Sequence, residues 1–215
     1  MKKTLLFGLL SATVPFLAGC GSVVGALVPP QTITNPAGLT GATLAPSSAL
    51  VIESVSGTIG YNTETTNSSF DDFKFPDNIP FGIRPHGVAF NTSFASAVVS
   101  GTCAAPDTVK VTIKRVDIVV KDAVATATVT QTPNLTLTLT KSSQGIGTAS
   151  YTVAGNSLVL SADTGTSNSI ITVLTTGGKN NASLSAAISA DQNSLASCTL
   201  SFKLGETTAT LSNFS

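Results

Sequence analysis

From Leu135 to Thr140 the chain reads Leu-Thr-Leu-Thr-Leu-Thr, a pattern that suits a half-buried strand and little else. Successive side chains of a strand point to opposite faces, so the three leucines share one face and the three threonines the other. Wound into a helix, the same residues would scatter apolar groups around the whole circumference. The period of two recurs along most of the chain. Val109, Val111 and Ile113 share one face, and Cys198, Leu200, Phe202 and Leu204 share another.

Val116, Ile118 and Val120 hold the opposite parity to Val109, Val111 and Ile113. A strand keeps its apolar set inward across such a change only by inserting one residue, so a β-bulge is predicted at Lys114-Arg115. Further strands are predicted over 50–61, 88–99, 124–130, 151–153, 158–160, 170–174, 184–188 and 207–214. Pro133-Asn134 reads as a turn, and Ala154-Gly155-Asn156-Ser157 as a hairpin turn. No stretch carries a convincing helix signature. The expected fold class is therefore all-β, an antiparallel β-sandwich of Greek-key or immunoglobulin-like type, with a closed β-barrel as the alternative.

The stretch from Asn62 to Gly87 breaks the monotony. It gathers Phe70, Phe73, Phe75 and Phe81, four of the ten phenylalanines, with Asp71, Asp72, Asp77 and His86, the only histidine. Pro76, Pro80 and Pro85 exclude a long helix or a central strand, since proline lacks the N–H that either needs. A loop this long is a candidate binding loop, and its aromatics would otherwise plug the core. No cofactor is expected; the three aspartates offer at most a weak Ca²⁺ site, without the spacing of an EF-hand.

The first twenty residues follow a different logic. Lys2 and Lys3 precede an apolar run from Leu5 to Leu17, too short for a membrane-spanning helix of about 20 residues. It ends in Leu17-Ala18-Gly19-Cys20. This order of charge, apolar run, small residues and cysteine resembles the lipobox signal of bacterial lipoproteins. The resemblance implies cleavage after Gly19 and fatty acyl chains of the palmitate kind on Cys20. It also implies an exported, lipid-anchored protein of the cell envelope. Gly21 stands where an aspartate would resemble an inner-membrane retention signal, so the expected destination is the outer membrane. Residues 1–19 are then the signal peptide, 20–48 an uncharged tether broken by Pro29, Pro30, Pro36 and Pro46, and 49–215 one β domain. As a flexible coil the tether would reach about 30 Å.

Of the three cysteines, lipid takes Cys20, and an even pair in an exported chain forms a disulfide, here Cys103–Cys198. The chain carries 11 basic and 11 acidic residues, and losing Lys2 and Lys3 leaves a net charge of −2. No basic patch invites nucleic acid. His86 is the sole histidine, no Gly-x-Ser-x-Gly elbow precedes a helix, and the remaining thiols are paired, so no enzyme is expected. Charged residues are only 10% of the chain, and Ser, Thr, Asn and Gly supply the polar surface. That surface fits a structural or adhesive role with envelope proteins or polysaccharide as partners, beside the membrane itself. The alternative is a ligand-binding module, for polysaccharide or Ca²⁺, using the 62–87 loop, with a hydrolase resting on paired carboxylates as the last alternative.

Overall fold

A computed structural model describes residues 25–44, 51–52, 59–62, 66–70, 82–175 and 180–215 of the chain. In order, its strands are β1 (Gln31–Thr34), β2 (Thr43–Leu44), β3 (Val51–Ile52), β4 (Ile59–Asn62), β5 (Thr66–Phe70), β6 (Pro85–Ser100) and β7 (Thr108–Lys121). There follow β8 (Thr126–Gln131), β9 (Leu135–Gly145), β10 (Thr148–Ala154), β11 (Leu158–Ser161), helix α1 (Thr164–Thr175), β12 (Asn180–Ala190) and β13 (Thr199–Phe214). The fold is all-β and antiparallel, as the alternation requires. All the strands hydrogen-bond into one sheet in the order β1-β13-β6-β10-β9-β7-β12-β4-β3, curled into a half-barrel. The two sides of the curl approach each other where β5 lies beside a 3-10 turn at Pro36–Gly38.

The predicted bulge is present. Ala187 pairs with Arg115 and Ile188 with Ile113, so Lys114 is the extra residue, and Val109 to Val120 stays buried on one face throughout. The core gathers Tyr151, Leu137, Leu139, Leu158, Leu184 and Leu200, all at most 2% exposed.

Three expectations need correction. Residues 170–174, read as a strand, belong to α1. Their β-branched residues favour strands, but Ser167, Ile170, Ile171 and Val173 are buried together on the helix. Asp163 caps the helix, its Oδ1 accepting the Thr166 N–H at 2.8 Å. α1 packs against β6 and β8, and crosses from β6 towards β12 inside the curl. Ser167 fixes one end: its Oγ accepts the Val88 N–H at 3.1 Å.

The supposed turns at Pro133-Asn134 and Ala154–Ser157 do not reverse the chain. β8 and β9 both run antiparallel to β7, and β10 and β11 both run antiparallel to β6. Each pair is one kinked strand following the bend of a longer neighbour. Turn residues bend an edge as readily as they reverse it, and only long-range pairing distinguishes the two.

Residues 25–44, expected as tether, are part of the fold. β1 pairs with β13 through Gln31↔Leu211 to Thr34↔Thr208, and Leu39 and Leu44 are buried at 1% and 2% exposure. Pro29, Pro30 and Pro36 flank β1 rather than interrupt it. β13 offers an edge of unpaired backbone groups, and a charge-free segment with well-spaced apolar residues satisfies it.

The opposite end is closed by two connections. The Gly101–Asp107 link carries Cys103, and the 191–198 link carries Leu195, fully buried, and Cys198. The disulfide joins them, with Cα atoms 5.8 Å apart and a sequence separation of 95. Tyr151 Oη donates to the Pro106 carbonyl at 2.8 Å, and Lys141 Nζ reaches both the Ala105 carbonyl and Asp107.

Candidate functional site

The buried partners of the strands fix which residues face outward. Opposite Phe202, Ala97, Tyr151, Leu139 and Val109 lie Lys203, Ser96, Thr152, Thr140 and Thr108. These five are aligned across β13, β6, β10, β9 and β7 as Lys203↔Ser96, Ser96↔Thr152, Thr152↔Thr140 and Thr140↔Thr108. At the usual strand spacing the row spans roughly 19 Å. Thr136, Thr138 and Thr112 extend the face along β9 and β7, and Thr112 and Thr136 hydroxyls stand 3.3 Å apart. Several hydroxyls donate to carbonyls of the sheet, among them Thr152 to Thr140 at 3.2 Å and Ser142 to Ser150 at 3.1 Å. A hydroxyl that donates inward turns its lone pairs outward, so the face offers acceptors to an approaching donor.

At its β6–β13 margin this face runs into a hollow of ≈ 200 Å³, lined by Asn91, Ser93, Ser157, Glu206 and Thr208. The hollow forms where the sheet bends. β13 shifts register on either side of Leu204, opposite Phe94, while β10 gives way to β11 along β6. Gly155 makes the second kink feasible, with φ at 155° and a Cβ position only 2.8 Å from Leu137 Cδ2. Beneath the bend, Thr92 and Thr207 satisfy each other's buried hydroxyls at 2.8 Å. Phe94 packs edge-on against Phe202, with centroids 5.5 Å apart.

Of the eight residues singled out in the predicted 62–87 binding loop, Phe70 and His86 are described. Phe70 ends β5, its backbone opposite Asn180 of β12. His86 lies on β6, half-buried, its Nδ1 2.8 Å from Asn168 Oδ1 on α1, so it helps hold the helix to the sheet. Asp71, Asp72, Phe73, Phe75, Asp77 and Phe81 lie outside the described residues, as does Cys20. Among the described residues, no three His, Cys, Asp or Glu side chains come together as a metal site. The disulfide residues Cys103 and Cys198 are brought together as expected.

Sequence reasoning recognised a Ser/Thr-rich strand surface but not the row or the hollow. Alternation assigns each residue a face; the neighbours across the sheet depend on strand order. The chain matches no protein-family model and no curated protein at a significant level.

Proposed function

We propose that this protein is a lipid-anchored envelope protein with a structural or adhesive role, working through the hydroxyl-rich face of the half-barrel. The observation that carries the adhesive part is the aligned row Ser96, Thr152, Thr140 and Thr108, joined to a polar hollow. A surface of hydroxyls and amides with few charges exchanges hydrogen bonds with polyhydroxylated polymers or polypeptide backbone with little charge desolvation. Membrane attachment rests on Leu17-Ala18-Gly19-Cys20 and Lys2-Lys3. Two or more acyl chains give stable anchoring where one gives only marginal binding. The protein carries out no catalysis in this reading.

Two measurements test it. Intact-mass spectrometry of the membrane fraction should find a chain beginning at acylated Cys20, and Cys20→Ala should release the protein. A pull-down on isolated peptidoglycan and envelope glycans should retain the native protein. The double variant Thr108→Glu, Thr152→Glu, at exposed positions two strands apart in the row, should lose that retention while melting close to the native protein. Retention unaffected by the two glutamates would remove the hydroxyl face from the proposal.

A further inference from the structure

We infer that the domain is held close against the bilayer, with the pole where β6 begins and β13 ends turned towards the lipid. The inference rests on the lipid at Cys20 proposed above and goes on to orientation. It starts from Gly25, the first described residue. Gly25 is buried, and a Cβ there would lie 2.6 Å from Ser215 Cα and also overlap the Phe214 carbonyl oxygen. Gly25 is thus pressed against the last residues of β13, next to the paired backbone of Arg84 and Ser215.

From Gly25 the chain does not swing free. Val28 N–H donates to the Gly25 carbonyl at 3.1 Å, Val28 packs on the core, and β1 follows along β13. Asn35 N–H then donates to the Thr207 carbonyl at 2.8 Å, and Thr40 Oγ1 accepts the Thr207 N–H at 3.1 Å. The strap is pinned along its length. Five steps of chain lead from the proposed lipid at Cys20 to Gly25. Fully extended they span at most about 18 Å, less than the mean reach of a 28-residue flexible tether.

The surface beside Gly25 suits the interfacial zone of a bilayer. Leu27 is 78% exposed while Val28 beside it is packed inward, so the segment offers one apolar side chain outward at the point nearest the lipid. The β7–β8 turn, at the same end of the strands by their antiparallel order, presents Val124 at 86% exposure. The disulfide and the β9–β10 tip with Ile146 lie at the far end, beside Ser100 and Thr199. The hydroxyl face then stands along the side of the anchored domain, accessible parallel to the membrane.

The test uses the full lipidated chain in vesicles of phosphatidylethanolamine and phosphatidylglycerol containing a headgroup-quencher lipid. One fluorophore is attached at Leu27→Cys or at Ile146→Cys, the native disulfide being left intact. The label at 27 should be quenched several-fold more than the label at 146. Inserting twenty Gly/Ser residues between Cys20 and Gly25 should bring the two values together. Equal quenching at native length overturns the inference, as does a contrast that survives the insertion, since the short link would then not be its cause. Protein that fails to float with the vesicles overturns the lipid reading and the orientation with it, an outcome distinct from floating without contrast.

Discussion

Single residues carry three constraints on this fold. The Cys103–Cys198 bond closes a loop of almost half the chain. Replacing both cysteines by serine should cost roughly 2–5 kcal/mol in denaturant unfolding, because the cross-link restricts the unfolded chain most when the loop is long. Gly155 takes a φ that side chains rarely adopt, against Leu137. Gly155→Ala should therefore cost about 1–3 kcal/mol by the same measurement. Acid acts through caps. The N–H of Thr166 holds the Asp163 carboxyl below its ordinary 3.8, and the N–H groups of Ala125 and Val124 do the same for Asp122. A depressed folded pKa means that the unfolded chain binds the proton more readily. The contribution is complete above the ordinary value and is lost as pH falls through the lowered one. Asp163→Asn should thus differ from the native protein in melting temperature at about pH 5, and the difference should shrink towards about pH 2.5. A gap that widens on acidification would contradict the capping role.

At the level of elements, the bulge in β7 and the helix inside the curl show how pattern becomes structure. Lys114 is the residue that lets Val109–Ile113 and Val116–Val120 face one core despite opposite parity. Deleting it should bring both sets to one parity, so that β7 runs on as a regular strand with both still facing the core and the melt stays sigmoidal. Loss of the sigmoidal melt on deletion would mean that the bulge does more than reconcile the two parities. α1 is held by its buried stripe rather than by helix propensity, which its Thr, Ser, Asn and Ile content makes poor. Ile170→Ala, at a fully buried position, should cost about 2–5 kcal/mol. Thr172→Ala, on the exposed side of the helix, should stay within about 0.5 kcal/mol. Comparable losses at both positions would mean that α1 does not pack as described.

For the molecule as a whole, the decisive feature is that the N-terminal segment covers an edge. β1 shields one side of β13, and Leu39 and Leu44 complete the core beneath it. A chain beginning at Gly25 should melt like the full protein. One beginning at residue 45 should melt markedly lower and associate with itself, because β13 then presents sixteen residues of strand with an open edge. Size-exclusion chromatography beside thermal melting separates the two. Equal behaviour of both truncations would make residues 25–44 a passive tether after all.

Alternation alone determined that Leu135–Thr140 and its counterparts are strands, which face each residue takes, and even the bulge at Lys114. These are local consequences of a two-residue period. The order of signals up to Cys20 carried the expectation of an anchor, and the cysteine pairing followed from it. Tertiary structure decided what depends on neighbours distant in sequence. Ile170–Leu174 is helical because the curl of β6, β7 and β8 leaves a concave space that an amphipathic helix fills. Ala154–Ser157 kinks instead of reversing because β6 continues past it. Gly25–Leu44 is ordered because β13 has an edge to cover. The hydroxyl row exists only because five strands, from β7 to β13, align in an order that no local pattern encodes. Periodicity is a property of adjacent residues, while curvature, edges and cross-strand rows arise from pairing across the sheet.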